Sequence, residues 1–250
     1  MADQKVLVLD IETAPLLVYV WNLKDQYVGL NQMVQDWHIM AWSAKWLNEP
    51  ASKIQYYDQR KLKAGNDLPI MRPLWKLLDE ADIVITQNGK AFDSKKINAR
   101  FMLHGMKPPS DYKHLDTYLI VKRMASFTSH SLEYLSERFC TKYKKTSHSK
   151  FPGLSLWVEC LKGNKEAWAE MKAYNIRDTL TTEELYNKIQ AWVPQAMPNP
   201  MHPCPRRYSV RWDKRTNSDG VWQIWKCNKC GHKYKGERIN VTIRDLISHP

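Results

Sequence analysis

The sequence predicts an α/β domain built on a mixed sheet, followed by a small β-rich domain. Three observations point there. Residues 5–11, Lys-Val-Leu-Val-Leu-Asp-Ile, form an almost continuous apolar run, as a strand buried on both faces requires. Strand patterns come early in the chain, and helical spacing dominates from residue 68 onward. Then Pro194, Pro198, Pro200, Pro203 and Pro205 crowd together ahead of a stretch that alternates polar with aromatic or aliphatic residues. Proline removes backbone donors and biases the preceding residue away from helix, so the crowd reads as an extended linker. The expected organisation is a body of residues 1–193, a linker of 194–205 and a tail domain of 206–250.

Each element follows from local pattern. Residues 37–46 and 54–57 are rich in aromatic and branched side chains and predict strands. Residues 68–80 predict a helix with Leu74, Leu77 and Leu78 on one side. Residues 82–86 predict a short buried strand ending in a turn at Asn88-Gly89. Residues 93–104 predict a helix that Gly105 stops. Residues 131–139 and 165–192 predict further helices, the first without a clean capping box. In the tail, residues 208–212 and 221–226 flank Asn217-Ser218-Asp219-Gly220, as a hairpin requires.

Composition narrows the function classes. With 250 residues and 43% hydrophobic content, the chain can bury a core and is not a disordered tail. It holds no run of 18 apolar residues, so no membrane partner is expected. The start, Met1-Ala2-Asp3-Gln4-Lys5, lacks the order of a signal peptide, and 5 cysteines do not make a disulfide scaffold. A reducing cytoplasm is the expected location. The net charge is +12, which favours phosphate-rich partners. It is unevenly spread: residues 201–250 carry eleven Lys and Arg against four Asp and Glu. A second basic stretch holds Lys142, Lys144, Lys145 and Lys150 with no acid between Thr141 and Phe151. The tryptophans of the body, Trp21, Trp37, Trp42, Trp46, Trp75, Trp157, Trp168 and Trp192, are expected mostly in the core.

The most informative charges are negative. Asp10 and Glu12 end the first strand, and side chains two apart on a strand share a face. Two carboxylates side by side at a core edge are costly unless a cation neutralises them. Asp93 follows the second buried strand. Tyr174 and Asp178 are four apart on a helix and share one face. Hard divalent cations suit such oxygen ligands, and two of them can activate water and stabilise a leaving oxygen in phosphodiester hydrolysis.

These three segments, Asp10-Ile11-Glu12, Asn88 to Asp93 and Tyr174-x-x-x-Asp178, resemble the three motifs of the DEDDy 3′–5′ exonucleases of the ribonuclease H-like superfamily. Leu115-Asp116-Thr117 and Ser129-His130-Ser131-Leu132-Glu133-Tyr134-Leu135 are similar to the stretch between the second and third motifs. Ser43-Ala44-Lys45-Trp46 resembles phage-encoded members, for which the location would be the host cytoplasm.

The resemblance implies a ribonuclease H-like mixed sheet flanked by helices. It also implies 3′–5′ hydrolysis of single-stranded ends, DNA ahead of RNA, with two Mg²⁺ or Mn²⁺ ions. Asp10 would be shared by both ions, with Glu12 and Asp178 on one and Asp93 on the other. Tyr174 would orient the attacking water. Thr13, Ala14 and Leu16 would contact the terminal nucleotide, Asn88 and Phe92 would line the same cleft, and Lys95 and Lys150 would grip the phosphate backbone. A chain of this length has no room for a polymerase domain, so a replication or repair protein is the expected partner in trans. Two other readings use the same fold: a non-catalytic nucleic-acid-binding or assembly module, and a structure-specific endonuclease or ribonuclease.

In the tail, Cys227-Asn228-Lys229-Cys230 is half of a zinc ribbon. The other half, Cys204-Pro205-Arg206-Arg207, has arginine where a cysteine is needed. His202, Cys204, Cys227 and Cys230 are the expected Zn²⁺ ligands, with His232 as an alternative. Cys140 and Cys160 read as buried structural cysteines.

Overall fold

The computed structural model describes residues 4–24, 27–62, 65–145, 150–193, 209–217, 220–228 and 233–239. The chain runs β1 (Val6–Thr13), β2 (Leu17–Val18), β3 (Met33–Gln35), β4 (Ile39–Trp46), β5 (Gln55–Asp58), α1 (Leu68–Glu80), β6 (Ile83–Thr86), α2 (Asp93–Leu103), β7 (Lys113–Asp116), α3 (Thr117–Met124), α4 (Leu132–Phe139), α5 (Ser155–Leu161) and α6 (Lys165–Ile189). Beyond it come β8 (Ser209–Asn217), β9 (Gly220–Cys227) and β10 (Lys233–Ile239).

The central sheet has the order β5-β4-β1-β6-β7. β1 lies antiparallel to β4 and parallel to β6, and β6 is parallel to β7, so the sheet is mixed as expected. The alternation of β1 decides what each face receives. Leu7, Leu9 and Ile11 pack with Ile70, Leu74, Ile97 and Phe101 of α1 and α2. Val6 and Val8 pack on the other side with Ile120, Leu135, Leu185 and Tyr186 of α3, α4 and α6. Asp10 and Glu12 have the parity of Val6 and Val8, and therefore face α6.

α6 is long and its inner face is unusually polar. Asn164 caps it, its side-chain oxygen accepting from the N–H groups of Glu166 (3.0 Å) and Ala167 (3.3 Å). Its buried residues include Asn175, Asp178, Thr179, Thr181 and Thr182 as well as Trp168, Met171 and Leu185. Thr179 meets Ser43 of β4 at 2.6 Å, and Ser43 donates to the Asn175 carbonyl at 3.0 Å. These bonds seat the helix across β1 and β4.

Several sequence expectations need adjustment. The second long strand begins at Ile39 rather than at residue 37, and the helix of residues 93–104 ends at Leu103. Ser131 does cap α4, accepting from the Tyr134 N–H at 3.2 Å. β7, α3 and α5 carry no clear periodic signal, being only four to eight residues long. Trp42 and Trp168 are buried, but Trp21 and Trp192 are exposed, against the expectation of core tryptophans. Cys140 and Cys160 are buried free thiols whose pKa values burial pushes up to about 11 and about 12.

The tail forms a three-stranded antiparallel sheet in the order β10-β9-β8. β8 and β9 pair down to Asn217 opposite Gly220, where the sequence predicts the hairpin turn; β10 is an addition to that hairpin. His202, Cys204, Cys230 and His232 lie outside the described residues, as does the proline-rich stretch, and Cys227 ends β9. No helix among the described residues is long and apolar enough to cross a membrane.

Candidate active site

The three carboxylate motifs converge at the carboxyl end of β1. Asp93 opens α2, but it is not the helix cap: that position is Phe92, which makes no capping bond. The Asp93 Oδ1 instead accepts from the Ile11 N–H at 3.2 Å, tying the start of α2 to β1 between Asp10 and Glu12. From α6, Asn175 Nδ2 donates to Asp10 Oδ2 at 2.6 Å. Tyr174 and Asp178 share one face, and Lys145 Nζ reaches both, at 2.9 Å to the Tyr174 hydroxyl and 2.5 Å to Asp178 Oδ2. Trp157 of α5 donates from Nε1 to Glu12 Oε2 at 3.2 Å, and its ring meets Tyr174 edge-on at 6.1 Å.

The electrostatics of this group are strained in one direction. Burial raises the Asp10 pKa well above the carboxylate range, and Glu12, Asp178 and Asp93 add to it, with Lys145 opposing. Burial pushes Glu12 up to about 8; Asp178 adds to that, while Lys145 and the Trp157 bond oppose it. Burial pushes Asp93 up to about 7 against the backbone donors, with Asp116 adding to the rise. Burial works against the charge on Lys145, but Asp178 and Tyr174 outweigh it and its pKa is raised. Tyr174 is pushed up to about 12, by burial first and then by Asp178, so its hydroxyl keeps its proton at neutral pH.

This donor set fits hard divalent cations. Four carboxylates press on one another in a poorly solvated place, and the Lys145 charge offsets only part of the rise at Asp10 and Glu12. Among the described residues no group of three His, Cys, Asp or Glu side chains stands in ligand geometry. Each carboxylate is turned onto a protein partner instead: Asp10 to Asn175, Glu12 to Trp157, Asp93 to Ile11 and Asp178 to Lys145.

The loop carrying the second motif is held by residues whose role sequence pattern does not reveal. Asp116 caps α3 by accepting from the Tyr118 N–H, and also accepts from the N–H groups of Asn88 (2.9 Å) and Lys90 (3.0 Å). Asn88 adopts a positive φ of 60°. A Cβ on Gly89 would sit 2.3 Å from Thr86 Oγ1 and 2.5 Å from Thr86 Cβ. Gly89→Ala is therefore expected to push the loop off Thr86, costing about 1–3 kcal/mol as overpacking does. Thermal denaturation checks it, and an unchanged melting temperature would remove this constraint.

The remaining expected contacts fall around the site unevenly. Thr13 ends β1 half-buried, and Leu16, Asn88, Phe92 and Lys95 are exposed. Ala14 packs in the core with Met40, Ala41 and Leu156, so its side chain faces protein. Lys150 is exposed and pairs with Glu166 at 2.6 Å. Lys145, from the same basic stretch, turns inward to the carboxylates. Glu184 anchors the loop before it, accepting from the N–H groups of Thr141, Lys142 and Tyr143. Sequence pattern does not mark Asn175 or Trp157 as site residues. Asp116 lies in a segment that the motif resemblance singles out, without a role, and the acid-free lysine run does not say which lysine enters.

The chain thus gathers buried carboxylates at the end of the central strand of a mixed α/β sheet. The model of the RNase_H superfamily matches residues 46–190, more than half of the chain, and the chain belongs to that superfamily. Membership supports a nuclease in general terms. Among solved structures the chain is similar to the family B DNA polymerase from the hyperthermophilic archaeon Pyrobaculum calidifontis, with a TM-score of 0.56 and 14% sequence identity. The likeness covers 79% of this chain and 26% of that one, so the chain spans about a quarter of the polymerase. At this identity the likeness speaks for the fold. No curated protein matches the sequence.

Proposed function

We propose that the chain is a metal-dependent 3′–5′ exonuclease of the DEDDy type, acting on single-stranded nucleic-acid ends. The observation that carries this reading is the meeting of Asp10, Glu12, Asp93 and Asp178 with the Tyr174 hydroxyl. A binding module has no use for mutually repelling buried carboxylates. The polymerase likeness makes DNA the first substrate to test. Residues 1–193 are the catalytic body in this reading, and the basic tail of residues 206–250 helps to hold the strand.

Asp10, Glu12, Asp93 and Asp178 would hold two divalent cations, which supply Lewis-acid stabilisation of phosphoryl oxygens and lower the pKa of a nearby water. The chain's own groups do the rest. Asn175 holds the Asp10 carboxylate and Trp157 holds that of Glu12, which limits the orientations each can take. Tyr174 remains protonated and orients the attacking water through its hydroxyl. Lys145 holds that hydroxyl and Asp178 in one geometry. It also offers a positive charge where phosphate charge develops.

The test is a digest of 5′-labelled single strands, DNA and RNA in parallel, with Mg²⁺. A ladder shortening from the 3′ end by single nucleotides is expected. Internal cuts at early times would make the protein an endonuclease, and no products at all would make it a binding module. Tyr174→Phe should lower turnover roughly 10²-fold through a misplaced water, with Mg²⁺ affinity kept. Wild-type turnover in that variant would remove the water-positioning role.

A further inference from the structure

The chain leaves the central sheet at Ala14 and returns at His38, where the Ala14 N–H donates to the His38 carbonyl at 2.9 Å. Between them β2 and β3 pair as a narrow antiparallel ribbon. The Tyr19 N–H and the Gln32 carbonyl extend that pairing at 2.9 Å. Beyond this point the ribbon turns its large side chains outward. Trp21 is 94% exposed, Leu23 99% and Tyr27 98%, with Tyr19 and Leu30 close behind. None of these five joins a core cluster of the described residues. A concentration of bare apolar side chains of this kind marks an interaction site.

We propose that this ribbon is a stacking platform for the single strand upstream of the 3′ end held at the carboxylates. The inference rests on the nuclease reading and extends it to a second contact region. Three features select a nucleic-acid strand over a protein. First, the ribbon is rooted one residue beyond Thr13, at the end of the strand that carries Asp10 and Glu12. Second, its root is bound to the helix that begins at Asp93. Lys96 Nζ lies 3.6 Å from the Trp37 ring centroid and 5.8 Å from that of Phe92, a cation beside two aromatic rings. Third, the outward aromatics Tyr19, Trp21 and Tyr27 offer solvent-facing rings. Bases stack on such faces without sequence preference, which suits an enzyme that must accept every base.

The test uses the full chain in EDTA, so that strands are bound and not cut. Fluorescence anisotropy measures the Kd of labelled oligothymidylates of about 4 and about 16 nucleotides. At about tenfold per stacked ring, Trp21→Ala with Tyr27→Ala should raise the Kd of the longer strand roughly a hundredfold and leave the shorter one unchanged. The slope of log Kd against log salt should not move, because no phosphate contact is lost. Trp21→Phe with Tyr27→Phe should restore most of the affinity, which a damaged fold would not. An unchanged Kd for the longer strand overturns the proposal. Unchanged strand binding with a loss of self-association in sedimentation would assign the ribbon to protein contact, and overturns it too. If the wild-type chain cuts no strand in Mg²⁺, the nuclease reading fails, while the binding comparison still decides the ribbon.

Discussion

Asp10→Asn is expected to cut hydrolysis roughly a thousandfold and, in EDTA, to raise the melting temperature. The two effects have one cause. Asp10 sits among Glu12, Asp178 and Asp93, all of which raise its pKa in addition to burial. In the proposed reading its oxygens would hold cations that supply several kcal/mol of charge stabilisation, and about 1.4 kcal/mol is a factor of ten in rate. Without cations, keeping the same carboxyl buried among other acids costs free energy, because it must take up a proton that the unfolded chain does not bind at neutral pH. Asparagine keeps the shape and an oxygen to accept from Asn175, and removes the charge. A gain of about 1–2 kcal/mol would lift the melting temperature by about 2–8 °C in a chain of this size. Wild-type cleavage by the variant would sink the site assignment. A variant less stable than wild type in EDTA would show instead that this cost is already relieved.

Stability in EDTA should fall as pH rises from about 6.5 to about 8, and Mg²⁺ or Mn²⁺ should cancel the fall. Glu12 and Asp93 hold their protons up to about 8 and about 7 in the folded chain, against ordinary values of 4.5 and 3.8. Across that interval the folded state binds more protons than the unfolded one, so each step up in pH favours unfolding. Each pKa unit corresponds to about 1.4 kcal/mol, and the loss is on the order of a few kcal/mol. The buried imidazoles of His38 and His114 act in the opposite sense, because burial lowers their pKa values from 6.5. Their contribution ends near pH 6.5, which leaves the upper interval to the carboxyl groups. Asp67 and Glu184, whose pKa values are lowered, lose their contribution only at acid pH. Cation binding must displace the protons, so affinity rises with pH and protons are released. Melting curves at several pH values, with and without Mg²⁺, check the whole scheme. A flat profile in EDTA, or no effect of cations at pH 8, would contradict it.

Much of the candidate site is legible in the order of residues alone. The parity of Asp10 and Glu12 follows from the strand period, and the shared face of Tyr174 and Asp178 from the helical one. Both are local rules, and the fold keeps them. The short elements β7, α3 and α5 escape such reading because four to eight residues hold too few repeats for a period to emerge. Trp21 departs from expectation for a different reason. An exposed aromatic and a core aromatic look alike in one sequence, because burial depends on what else packs there.

The class of fold and the order of the main elements are written in the chain itself, because backbone geometry acts over a few residues. The five proposed site residues stand out in the sequence through their resemblance to the exonuclease motifs. Which groups support the five is settled by packing: Asn175 on Asp10 across 165 positions, Trp157 on Glu12 across 145, and Lys145 chosen from its run to meet Asp178. Packing also leaves the ribbon between β1 and β4 standing clear of the core. Contacts at such separations depend on how whole elements meet, and no periodicity within either partner encodes them.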